Sequence, residues 1–162
     1  MRRVRPPIAA LLLGLLPLLQ LPGCAVARPL RVLLPEELAQ GARLQSALVV
    51  LTHAVVDPAQ RTAFDAHTRR VDDSLDAQPG LIAHSLRREL FGNSVWTMTI
   101  WTDAQASMRF SGSSAHAAAK REAGRALLSL RTVRLELPRN ELPPSWERML
   151  SELDKLPPAT PP

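Results

Sequence analysis

Val95-Trp96-Thr97-Met98-Thr99-Ile100-Trp101, then Thr102-Asp103-Ala104-Gln105-Ala106, then Phe110 and Ser113-Ser114-Ala115-His116, is the stretch that decides the fold. It reads as a strand that ends in a tryptophan and a short helix that opens on Thr102-Asp103, whose side-chain oxygens suit the free N–H groups of a first helical turn. Ser111-Gly112-Ser113 breaks that helix, and His116 then sits near the start of the next helical piece. Trp96 and Trp101 fall on opposite parities of the strand and therefore on opposite faces of its sheet.

Outward from this stretch, strands and helices alternate. Residues 81–90 form a second strand, joined to 94–101 through Phe91-Gly92-Asn93, where Gly and Asn suit a tight hairpin because both tolerate positive φ. Pro79-Gly80 stops a helix that begins at Asp57-Pro58-Ala59-Gln60, with Asp as N-cap and Pro at the first position, and runs to about Ala77. Phe64, His67, Val71 and Leu75 share one face of it. Before it, residues 47–56 are apolar on both parities, the pattern of a strand buried on both faces. After the opening stretch come a helical piece at 115–126 and a last strand at 127–137. Pro143-Pro144-Ser145 then opens a helix carrying Trp146, Met149, Leu150, Leu153 and Leu156 at helical spacing.

The order β-α-β-β-α-β predicts an α+β, ferredoxin-like fold with an extra C-terminal helix. One face of such a sheet takes the helices. In the first strand both Ala47/Val49/Leu51 and Leu48/Val50 are apolar, so the second face also needs a cover. Pairing two sheets into a dimeric α/β barrel is the expected solution, which makes the chain a homodimer; the alternative is that the tail helix covers that face.

The ends of the chain speak to its compartment. Residues 1–27 read as an export signal: Arg2, Arg3 and Arg5 precede an apolar run at 8–19, too short to span a bilayer as a helix. Two cleavage readings stay open. Leu21-Pro22-Gly23-Cys24 resembles a bacterial lipoprotein box, which predicts lipidation of Cys24 and a membrane anchor. Ala25-Val26-Ala27 is an A-x-A site that would release a periplasmic protein. Either places the chain at the cell envelope. Residues 28–44 read as a linker arm, 45–138 as the folded domain, 139–156 as the C-terminal helix and 157–162 as a disordered tail.

Composition excludes several classes. One cysteine permits neither an intrachain disulfide nor a cysteine-cluster metal site. Removing Arg2, Arg3 and Arg5 takes Lys+Arg from 20 to 17 against 15 Asp+Glu, a balance near +2 with no basic cluster, so no nucleic-acid partner is expected. The four histidines have no metal-ligand spacing, and there is neither a glycine-rich phosphate loop nor a G-x-S-x-G elbow.

Over about 45–137 the chain resembles the antibiotic biosynthesis monooxygenase family of small dimeric α/β barrels. The resemblance rests on the Asp57-Pro58 helix start with Phe64, Pro79-Gly80-Leu81, Trp101 after its strand, and Ser114-Ala115-His116. It implies a small hydrophobic or aromatic ligand and oxygenation with no metal, flavin or other cofactor, the substrate supplying electrons once deprotonated. Such chemistry needs a base, a polar group for the anion and a dry apolar pocket. His116 and His53 are the candidate bases, and Trp101 and Phe110 the candidate substrate-binding wall. Haem-degrading relatives use a Trp, a His and an Asn. Trp101 and His116 fall near the first two, but Thr52-His53-Ala54 stands where the asparagine belongs, so haem degradation is not expected, while haem or tetrapyrrole binding through His116 stays open. For each residue a bland role competes: His116 as a helix-start histidine bonded to backbone or water, His53 as a bonded core histidine, Trp101 as packing. A non-catalytic envelope lipoprotein using the fold for ligand binding or assembly is the other functional class.

Overall fold

A computed structural model describes residues 24–157. The expected strands form one antiparallel sheet. Its central members are β3 (Ser46–Val56) and β5 (Ser94–Trp101), with β4 (Leu81–Glu89) beyond β5 and β6 (Leu127–Pro138) beyond β3. The order β4-β5-β3-β6 is that of the ferredoxin-like βαββαβ unit. β3 is hydrogen-bonded on both sides, Leu51 facing Met98 on one and Val133 on the other. That central place is why it is apolar on both parities.

The crossovers are α2 (Arg61–Leu75) between β3 and β4, and α3 (Ala104–Gly112) with α4 (Ser114–Gly124) between β5 and β6. All three lie on one face. Asp57 caps the turn that leads into α2, its Oδ1 accepting from the Ala59 N–H at 2.9 Å. Gly80 has φ +82° and lies so close to α3 that a Cβ there would stand 2.7 Å from both Ala106 Cβ and Thr102 Oγ1. Only glycine tolerates that conformation and that approach, and the Thr102 N–H donates to its carbonyl at 2.8 Å. The turn expected at Phe91-Gly92-Asn93 differs from its prediction: neither Gly92 nor Asn93 takes a positive φ. Leu90 joins the loop, and a four-residue connection does not need a mirror-image turn. Glu89 Oε2 accepts the Ser94 N–H across it at 3.1 Å, and Arg61 reaches its Gly92 carbonyl at 3.0 Å.

The second face of the sheet is covered from within the chain. α5 (Trp146–Asp154), capped by Ser145, lays Met149 and Leu153, both essentially inaccessible, onto Val49, Leu51, Met98, Ile100 and Val133. At roughly 1.5–3 kcal/mol per fully buried large side chain, these two alone are a substantial part of a small domain's stability. Arg131 fixes the end of α5 by donating to the Leu153 and Leu156 carbonyls at 2.5 and 2.9 Å. Of the two covers expected for this face, a second sheet or the tail helix, the tail helix lies on it.

The segment expected as a linker arm also lies on the domain. Ahead of it β1 (Ala25–Ala27), within the segment read as export signal, pairs with β4, and so does β2 (Arg31–Val32). α1 (Pro35–Leu38) follows, and Leu30, Leu34 and Leu38 pack beside α5. The clamp is ionic. His84 is buried between Asp72, at 3.2 Å, and Asp76, at 3.3 Å; Asp72 binds Arg28 at 3.0 Å and Asp76 binds Arg31. A segment with its own apolar side chains and two charge partners has no reason to trail in water. Residues 1–23 and the last part of the expected tail, 158–162, lie outside the described residues.

Candidate functional site

The site is built on the helix-covered face, from the end of β5 outward. Trp101 is buried and its indole N–H donates to Thr99 Oγ1 at 2.8 Å. Asp103 caps α3, accepting the Ala106 N–H on Oδ1 at 2.7 Å; that backbone bond is the main reason its carboxyl lies below the usual range. From α3, Phe110 packs on Trp101 with ring centres 5.4 Å apart. Ser113 caps α4 by accepting the backbone N–H of His116 at 3.2 Å. This cap turns the first residues of α4 back over α3, and the His116 ring meets Phe110 at 4.6 Å. Trp101, Phe110 and His116 thus form a ladder from the sheet to the outside of the core.

The ladder ends in a cavity of about 420 Å³ between α2 and α4, a size suited to a small organic ligand. α2 contributes His67, Arg70, Val71 and Ser74; α4 contributes His116, Ala118 and Glu122; Phe110 closes one wall. Glu122 sits 2.9 Å from His67 Nδ1 and 3.6 Å from the Arg70 guanidinium, which also touches the His67 ring. Burial, with a contribution from nearby Lys120, pushes the His116 pKa below that of free histidine. Its imidazole is therefore neutral near pH 7 and able to accept a proton. Nδ1 is buried without a hydrogen-bond partner.

Three of the four expected site residues come together. His116 and Phe110 line the cavity, and Trp101 stands behind Phe110 as support. His53 does not join them. It faces the opposite side of the sheet, stacked on Trp96 at 4.7 Å with the rings 8° from parallel. Neither of its ring nitrogens has a partner, and burial together with Arg131 depresses its pKa. Of its two expected roles it takes the core position, but without the hydrogen bonds expected there. Cys24 is exposed beside β1, away from the cavity. Sequence reasoning missed Arg70 and Glu122 and gave His67 only a place on the helix face of Phe64, Val71 and Leu75. The spacing of His67, Arg70, Val71 and Ser74 on one side of α2 was visible, but that α4 would lie against this side was not. Among the described residues no group of three or more His, Cys, Asp or Glu is arranged to hold a metal ion.

This architecture has relatives. Residues 47–122 match the family model for antibiotic biosynthesis monooxygenases. No curated protein matches the chain. Among solved structures, SnoaB, a cofactor-independent oxygenase from Streptomyces nogalater, aligns with TM-score 0.51 and 21% identity over 60% of this chain and 97% of its own. Rv0793 from Mycobacterium tuberculosis gives 0.52 and 17% over 55% and 92%. PA3566 from Pseudomonas aeruginosa gives 0.54 and 14% over 59% and 97%. A Lactobacillus acidophilus protein is longer, and the chain spans only 47% of it. At these identities the structures speak for the fold. The similarity to antibiotic biosynthesis monooxygenases thus spans residues 47–122, somewhat under half of the chain.

Proposed function

We propose that the domain binds a small aromatic molecule with an acidic C–H or O–H in the cavity between α2 and α4 and oxygenates it with O2. The observation that carries this reading is a neutral histidine at an aromatic wall, with a cation across the same cavity. Buried Nδ1 leaves Nε2 of His116 to take the proton. Arg70 offers positive charge to the anion that forms, and Phe110 holds its ring. For an anthrone-like substrate, loss of one proton from the CH2 gives a delocalised carbanion. This reduces O2 and, with the proton returned, forms a hydroperoxide at that carbon. Loss of water leaves a carbonyl, so CH2 plus O2 becomes C=O plus H2O. The electrons come from the substrate.

Oxygen uptake with anthrone-like and quinol substrates tests this. His116→Ala should abolish turnover, whereas His53→Ala, across the sheet, should leave it within about twofold. Turnover that survives His116→Ala removes the base assignment. A second reading, ligand binding without turnover, draws on one detail: His116 has no partner to orient its ring, unlike His67 with Glu122. Binding by the same aromatics with no oxygen consumption would establish it.

We also infer that the protein works at the cell envelope, held by a lipid on Cys24. Support comes from β1: cleavage after Ala27 would remove the strand that pairs with Arg87, Arg88 and Glu89, whereas processing at Cys24 keeps it. Palmitate incorporation that disappears in Cys24→Ser is the expected result; an unlabelled parent chain would mean the other site is used.

A further inference from the structure

The β4–β5 loop end of the sheet, opposite the end at Trp101, carries four apolar or potentially acylated side chains that the fold does not use. Phe91, at the apex of the β4–β5 loop, is 92% exposed, and Leu90 and Val26 are each 51% exposed. Cys24 lies beside them, its carbonyl accepting the Leu90 N–H at 2.9 Å. Val26 stands opposite Arg88 in the β1–β4 ladder, so all four share one corner of the sheet. Single exposed apolar residues are ordinary, but an apex of Leu and Phe with further apolar side chains on the adjoining strand is a patch. Of the acids near the apex, Glu89 holds the Ser94 N–H at 3.1 Å and Asp65 pairs with Arg61 and Arg88.

We propose that this corner, centred on Phe91 and Leu90, inserts into the surface of a lipid bilayer. The chain itself indicates the occupant. The apolar run at residues 8–19 lies just before Cys24, so whatever holds the N-terminal end at a membrane delivers it beside Phe91. An exposed aromatic with a neighbouring leucine is the composition that settles at the headgroup level. A second copy is a poorer fit: one aromatic contributes roughly 150–250 Å², and a four-residue corner falls short of the roughly 1,000 Å² a specific protein interface needs. The corner lies at the start of β5, while Trp101 and α3 follow its end. The proposal rests on the membrane-anchor reading for its approach to the bilayer, but not on the oxygenase reading.

The test uses the full chain in its host membranes, with the photoreactive residue p-benzoylphenylalanine placed at position 91 or, as control, at position 108. Met108 is also exposed but lies on α3, toward the other end of the sheet. Illumination should yield adducts with radiolabelled phospholipid from position 91 and none from position 108. Equal lipid adducts from both positions, no adduct from 91, or an adduct from 91 to a second copy or another protein would each overturn the proposal. Palmitate labelling of the same samples separates the two readings. Label without a lipid adduct defeats insertion and leaves the anchor intact; an adduct without label keeps insertion and removes the anchor. Phe91→Ser should leave the unfolding midpoint unchanged, which shows that the apex is not part of the core.

Discussion

The two faces of the sheet carry the same kind of residues and meet different fates. On one, α2, α3 and α4 cover the strands but leave a cavity of about 420 Å³ between α2 and α4, edged by Arg70, Glu122 and two histidines. On the other, α5 and the N-terminal segment seal the strands over Met149 and Leu153. Each face holds one desolvated histidine with a depressed pKa. Only His116 has open space in front of it. A perturbed histidine is thus not a site by itself; access and neighbouring charge distinguish the two.

The strongest way to break this contrast is to strip the sealed face. Met149→Ala and Leu153→Ala should each cost about 2–5 kcal/mol in urea denaturation, because each leaves a cavity against the sheet. Partly uncovered variants should self-associate more than the parent chain does, as read by light scattering. Gly80→Ala comes next, at more than about 1 kcal/mol, since alanine would be strained at this φ and would collide with α3. Its near-ultraviolet circular dichroism should also change, because the same turn seats Trp101.

A pH titration of stability sharpens the comparison from the other side. A histidine whose folded pKa lies below its unfolded value of 6.5 binds fewer protons when folded. Its contribution is therefore full above pH 6.5 and is lost as the pH falls toward the folded value. His53, lowered by burial and Arg131 and partly raised by Glu89 and Asp154, and His116 should both weaken the fold in acid. His53→Leu should flatten that acid limb in thermal melts at pH 5 and 7. An unchanged slope would show that His53 is not the group responsible. The smallest effect on stability is expected for Phe110→Ala, about 1 kcal/mol from two lost aromatic contacts. Its effect on ligand affinity should be much larger, because Phe110 is the cavity wall.

Much of the domain was legible before any coordinates. The doubly apolar β3, the Asp57 cap, the Gly80 stop, the Trp101 strand end and the Ser111-Gly112-Ser113 break each carry a local signal, and each lies where its chemistry demands. The site was legible in part. His116 and Phe110 are adjacent because Ser113 fixes the angle between α3 and α4, an effect of few residues. His53 was misleading because strand parity says which residues share a face but not which face receives helices.

Local signals in the chain set the order and type of the elements from β3 to α5 and the parity of those strands, but not β1 or β2. These follow from side-chain periodicity, backbone caps and glycine conformations, all of which act over a few residues. Packing across the whole chain brings α5 onto the second face, residues 25–38 onto the sheet and its apolar cover, and Glu122 to His67 and Arg70. Those outcomes depend on which surfaces compete for the same apolar area and which charges meet across long stretches of chain. Periodicity shows that a face must be buried; packing alone selects what buries it.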